Sequence, residues 1–353
     1  MTTQPTPLQV GGHHMPKARI LFSSCLLGVT VLPIILILGS PYFVPMAWGV
    51  DFFLAVASAH VFATLYLLTD RVNLRFMTDH PFQMIAIPLL LIAICIAVFM
   101  VPGNPLFVPA LMLFLLYQTW HFGAQNIGVA MFVSLSEREV PIDAHEKAII
   151  RIGTICGMVG VLSALYPSFM IGSQHVPIDE TFLHVLRWGH RIGAVAAVGI
   201  TAWAFFLLLK NWRQKQFVFG IAIFLSAVFL FPMYLSSNYM VAVASFTIAH
   251  GLQYIIFLAA HSLSPFSSVD RRQRRYSALL LPPIVLLAII GIGHLIWTRA
   301  PMIDSGKFPL VGLSILLGLT LAHFWVDQFM WKMRNPDRAR WIKGNYGFVF
   351  KSR

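Results

Sequence analysis

Four histidines, His60, His121, His250 and His323, each lie near the middle of a long apolar run. A neutral imidazole carries one donor and one acceptor nitrogen, and leaving such groups unmet in an apolar medium costs about 2–7 kcal/mol. A single buried histidine usually meets that need with a helix carbonyl or a Ser/Thr hydroxyl. Four at one depth point to a shared partner, and a transition metal ion is the partner that suits four neutral imidazoles. Depth follows from the rise of about 1.5 Å per residue: His60 precedes the basic anchor Arg71 by roughly 16 Å, and His323 precedes Lys332 by roughly 13 Å. His121 and His250 lie comparably far from the ends of their own runs. The expectation is one ion bound by His60, His121, His250 and His323.

The four motifs are SAHVFATLY, TWHFGAQNIG, IAHGLQYIIF and LAHFWVDQFMW. Each histidine is followed one turn later by a polar side chain on the same helix face: Thr64, Gln125, Gln253 and Asp327. Asp327 is placed either to ligate the ion or to hold the free ring nitrogen of a ligand histidine. Its alternative is to reach toward Lys332 or Arg334. Gln125, Gln253, Tyr254, Thr64 and Tyr117 are candidates for orienting ligands or lining a substrate pocket, or simply for bonding between helices. Trp120, Phe122, Phe324 and Trp325 suit the wall of a lipophilic tunnel or ordinary packing. His261 returns to the face of His250 but roughly 16 Å further along, too far for one centre, which leaves it as a possible entrance residue. His13, His14, His80, His145, His175, His184, His190 and His294 fall in loops, tails or the outer ends of runs and read as solvated.

The elements that must position these groups follow from composition. The chain has 353 residues, 58% of them hydrophobic and 11% charged, with a mean hydropathy of +0.76. That composition indicates an all-α, polytopic transmembrane helical bundle. Ten runs are long enough to span, near 19–40, 46–69, 82–102, 107–133, 147–170, 188–209, 217–236, 239–262, 276–297 and 308–331. With the N-terminus inside, only Arg187, Arg191, Arg299 and Lys307 among the 25 Lys and Arg fall outside, so charge places both termini in the cytoplasm. The +12 net charge is thereby explained without nucleic acid, since it is divided among short separate loops. A single membrane domain, 1–353, is expected, with a cytoplasmic tail at 1–18 and a basic tail at 334–353 suited to the membrane surface. Cys25, Cys95 and Cys156 form no CxxC pair and read as small buried hydrophobes.

The order of the four motifs resembles that of the Brp/Blh family, integral-membrane β-carotene 15,15′-dioxygenases of bacteria and archaea. His121-Phe122-Gly123 carries the nearest similarity, with His60 at the first motif, His250 after the long middle segment, and His323 with Asp327 at the last. The resemblance implies an all-helical membrane protein holding non-haem iron through histidines from several helices. Where that family tends to carry acidic residues after its first two motifs, this chain has Thr64 and Gln125 or Asn126, and Tyr254 stands where a second histidine is common. The combined expectation is an oxygenase of the bacterial cytoplasmic (inner) membrane, using Fe(2+) and O₂ on a lipophilic substrate such as a carotenoid. A haem-binding electron carrier and a polytopic transporter are the competing classes.

Overall fold

The computed structural model describes residues 16–39, 59–61, 64, 70–101, 106–172, 180–236, 239–263, 308–333 and 335–349. Every regular element among them is helical. In chain order they are α1 (Pro16–Thr30), α2 (Leu32–Gly39), α3 (Arg71–Asp79), a π-helical turn at Phe82–Ala86 running into α4 (Ile87–Phe99), α5 (Phe107–Glu137), α6 (Ala144–Gly172) and α7 (Glu180–Arg213). They continue as α8 (Phe217–Val228), α9 (Pro232–Leu235), α10 (Tyr239–Leu263), α11 (Phe308–Met330) and α12 (Pro336–Asn345). The expected second span is described only at 59–61 and 64, and the ninth, 276–297, lies outside the described residues.

Five helical stretches are long and apolar enough to cross a membrane: Ala18–Gly39, Phe82–Phe99, Ala144–Ala164, Glu180–Arg213 and Val241–His261. The protein is an integral membrane protein. Its outward faces agree, because α7 exposes Val185, Ile192, Val195, Val198, Phe205 and Phe206, a surface that would drive aggregation in water and needs no cover in lipid.

Helix α5 occupies the middle, touching α6 and α8 on one side and α1, α4 and α11 elsewhere, while α10 packs on α1 and α2, and α11 runs along α4. Small residues permit the closest approaches. A Cβ at Gly153 would lie 2.1 Å from the Ala227 carbonyl oxygen, and one at Gly318 would lie 2.8 Å from the Ile92 Cα. In lipid, where hydrophobicity does not press helices together, such backbone proximity is a main source of packing energy.

Several expectations are revised. The seventh span is broken: α8 stops at Val228, a turn follows, and α9 begins at Pro232, whose ring and missing N–H oppose a continuous helix. Helix α7 extends past 188–209 at both ends, carrying its charged termini beyond the apolar stretch. Cys25 faces outward, whereas Cys95 and Cys156 are buried. His190 is half-buried rather than solvated, with Nδ1 3.0 Å from Ser163 Oγ and its ring against Tyr234. His80, His145 and His184 are exposed as expected.

One face of the basic tail packs against the bundle, while Arg340 and Lys343 stay exposed on the other. Asn335 caps α12 by accepting from the Asp337 and Arg338 amides, with Pro336 at the first helical position. Arg338, Trp341, Ile342 and Asn345 are buried beneath the bundle. Arg338 donates to Asn73 Oδ1 at 2.5 Å, the Trp341 indole donates to Asp70 Oδ2 at 3.0 Å, and the Tyr346 hydroxyl donates to the Phe257 carbonyl at 2.9 Å. Burial pulls the Arg338 guanidinium down to about 10 against the opposing pull of Asp70 and Asp337. It therefore stays charged at neutral pH. His261 sits in this junction, 3.9 Å from Asp70 Oδ2 and against Trp341.

Gly153→Leu is expected to cost about 1–3 kcal/mol through overpacking against α8, seen as a lowered thermal midpoint in detergent. Gly199→Leu, with open space around its Cβ, should leave the midpoint unchanged or slightly raised.

Candidate metal centre

The helical period places the motif residues of α5, α10 and α11 on inward faces. On α10, His250, Gln253, Tyr254 and Phe257 follow at the spacing of one face, and all four are buried. On α11 the same face carries His323 and Asp327, and on α5 it carries His121 and Gln125. The apolar residues before these histidines, including Phe114, Leu115, Val243, Phe246 and Leu317, form one core cluster. Those after them, including Phe132, Phe257, Val326 and Met330, form another. The histidines thus form a polar layer between two apolar ones.

The structure brings all four together. Ring centroids are 4.7 Å apart for His60–His323, 4.8 Å for His60–His250, 5.0 Å for His121–His250 and 5.5 Å for His121–His323, every pair edge to face. The order His60, His250, His121, His323 closes a ring of neighbours. Two motif phenylalanines brace it across helices: Phe324 stacks on His121 at 4.2 Å, and Phe122 lies against His250 at 4.2 Å. His60, His250 and His323 are within 4% exposure of full burial, and His121 is 8% exposed.

Among the described residues, both nitrogens of His250, Nε2 of His121 and Nε2 of His323 have no hydrogen-bond partner. A bound ion can satisfy one such nitrogen from a given ring, its lone-pair nitrogen. The donors do not close on one point, however. One donor atom each from His60, His250 and His323 lie within 4.8 Å of one another, and so do one each from His121, His323 and Asp327. Ligands about 2.1 Å from one ion are at most about 4.2 Å apart, so either triplet needs small side-chain movements to bind. The cluster therefore has two corners that share His323.

Asp327 does not reach for Lys332, whose ammonium sits over Phe329. It turns inward: Oδ2 is 3.6 Å from His323 Nε2, and Oδ1 accepts from the Tyr254 hydroxyl at 3.0 Å. With the tyrosine proton directed at the carboxylate, Thr64 must donate to the Tyr254 oxygen at 3.0 Å. Thr64 must then accept from His323 Nδ1 at 2.5 Å. The relay His323–Thr64–Tyr254–Asp327 fixes His323 as the Nδ1-protonated tautomer and turns the Nε2 lone pair into the cluster.

The glutamines act differently from one another. Gln125 Nε2 donates to the His250 carbonyl at 3.0 Å and to Gln253 Oε1 at 2.9 Å. Gln253 Nε2 donates to Thr30 Oγ1 at 2.9 Å and to Asn126 Oδ1 at 3.2 Å. They tie α1, α5 and α10 together and hold the backbone behind His250 without touching its ring. Thr30 is a member that sequence reasoning missed. It lies outside every motif, and its only signal is a polar residue within an apolar run. Tyr117 packs edge-on against Phe324.

A mostly apolar cavity of about 260 Å³ adjoins the cluster. His121, Gln125, Tyr254 and Asp327 are at its polar end, and Phe132, Phe257, Trp331 and Met333 carry it toward the C-terminal ends of α5, α10 and α11. His60 and His250 are not among its lining residues. Comparisons with protein-family models, curated proteins and solved structures gave no match to the chain.

Thr64→Val and Tyr254→Phe each break the relay and are expected to destabilise by about 1–3 kcal/mol. Because both interrupt one chain, a double-mutant cycle in detergent unfolding should show coupling of about 1 kcal/mol. Simple additivity would mean that the two contacts are independent.

Proposed function

We propose that the protein is a membrane-embedded, metal-dependent oxygenase that uses non-haem iron and O₂ on a lipid-soluble substrate. The observation that carries this reading is the closed layer of four buried imidazoles, with unmet nitrogens on His121, His250 and His323, opening at one edge onto an apolar cavity. His60, His121, His250 and His323 are the pool from which the ion draws its ligands. When bound, iron supplies Lewis-acid and redox chemistry toward O₂. The chain's own residues do the rest: Thr64 and Tyr254 orient His323, Gln125 and Gln253 hold the His250 backbone, and the apolar layers exclude water.

Oxidative cleavage of a carotenoid or another polyene is the specific reaction proposed. The motif order resembles the Brp/Blh family, and the cavity wall of Met131, Phe132, Phe257 and Trp331 suits an unsaturated hydrocarbon. Ten spans with both termini in the cytoplasm, in a bacterial inner membrane, form the topology proposed with it. The basic residues Lys210, Arg213 and Lys215 at or just past the end of α7, and those from Lys332 to Lys343 after α11, support that orientation.

A haem carrier fits the geometry less well. Neighbouring rings lie 4.7–5.5 Å apart, so a macrocycle placed between either diagonal pair would pass through the other two rings.

Protein purified in detergent should carry about one iron per chain and lack a Soret band. His323→Ala, which removes the donor common to both corners, should lower retained iron by about 10–100-fold or more. Expression in β-carotene-producing cells should deplete the pigment and yield retinal. A Soret band, or metal-free protein after iron-supplemented growth, would refute the reading.

A further inference from the structure

Two corners of the cluster offer three donors each, and His323 belongs to both. Its Nδ1 is engaged by Thr64, so it presents a single nitrogen, Nε2. An ion at one corner therefore takes His323 away from the other. The two corners are alternatives, and the surroundings distinguish them.

Resting on the metal-centre reading above, we propose that the ion occupies the His121–His323–Asp327 corner, with Asp327 as a ligand and the open side toward the cavity. Four observations converge on this corner. His121 Nε2 and His323 Nε2 are both without a hydrogen-bond partner. Asp327 Oδ2 is 3.6 Å from His323 Nε2, while the other carboxylate oxygen is held by Tyr254. A carboxylate 4% exposed in a membrane interior keeps its charge only beside a cation, and its ion-pair partner among the described residues is His323. A divalent ion there gains one compensating negative charge, which three imidazoles cannot give it in a low-dielectric site.

Access is the fourth observation. His121 and Asp327 line the cavity, whereas His60 and His250 stand behind them. An ion at the rear corner would have no face on this cavity. Two histidines and one carboxylate on one face of an ion leave its other positions open, an arrangement suited to ferrous oxygen chemistry. His60 and His250 then act as a neutral backing of edge-to-face rings, setting the position of the ligand rings without binding the ion.

The test is anaerobic Fe(2+) loading of the full chain in detergent, read by equilibrium affinity and by X-ray absorption. Wild-type protein should bind one Fe(2+) with two imidazoles in its coordination sphere. Asp327→Ala should weaken binding by about 100-fold or more, Asp327→Asn by about 10-fold or more, and His250→Ala, which removes only a positioning contact, by about 10-fold, the lower end of outer-contact effects. The wild-type imidazole count is independent of whether any variant folds. Three or more coordinated imidazoles, with Asp327→Ala binding unchanged and His250→Ala abolishing it, would move the ion to the rear corner and overturn this assignment while leaving the metal centre intact. A wild-type chain that takes up no Fe(2+) would overturn the metal centre and this corner together.

Discussion

An imidazole far from water must have both nitrogens answered, and that demand organises the interior of this protein. Four of them are gathered in one buried layer, with clusters of apolar side chains on either side. Edge-to-face contact between neighbouring rings contributes about 0.5–1.5 kcal/mol per aromatic pair. That is too little to offset the desolvation of several unmet nitrogens at about 2–7 kcal/mol each. Packing alone does not account for the arrangement, and that imbalance is the physical ground of the metal centre proposed above. Sites of this kind are where a protein accepts local instability for function.

Stability has to come from elsewhere, and the structure shows where. The amide network of Gln125, Gln253, Asn126 and Thr30 joins three helices with every connecting bond between 2.9 and 3.2 Å. Close backbone contacts at Gly153 and Gly318 lock neighbouring pairs. At the helix ends, Arg138 forms a paired contact with Glu146, at 2.8 and 2.9 Å, while its guanidinium stacks 3.6 Å above Phe219. These features surround the histidine layer without drawing on its nitrogens. The donors are left available because rigidity is supplied by other groups.

Depth and helical period made part of this site legible in the sequence. Histidines at mid-run on several helices must meet if the helices bundle, and the one-turn spacing correctly put Gln253, Tyr254 and Asp327 on the inward face. What spacing could not convey is the rotation of one helix against another. Whether Asp327 turned to Lys332 or to Tyr254, and whether Gln125 faced a ring or a carbonyl, depended on that rotation. Phe122 and Phe324 looked like tunnel wall, yet each braces a histidine of a different helix. The tail is another case. Its basic, aromatic composition suits a membrane surface, but a buried Asp70 and Asn73 in another segment supply partners that local composition does not reveal.

The tail and the site are mechanically connected through the far end of the cavity. Phe257 lines the cavity on its ring side and accepts the Tyr346 hydroxyl on its carbonyl. Trp331, also a lining residue, lies 5.5 Å from the Phe257 ring, 6.0 Å from Trp341 and 6.0 Å from Tyr346. The aromatic floor of the cavity is therefore the roof of the C-terminal helix. Rotamers of Phe257 and Trp331 cannot change without disturbing α12, because interiors at this packing density transmit displacement. Arg338 fastens that helix to α3 through Asn73, with Phe76 and Trp341 each 4.8 Å from its guanidinium carbon. The width available to an apolar molecule is thus set jointly by the helices that carry the histidines and by a segment that contributes none.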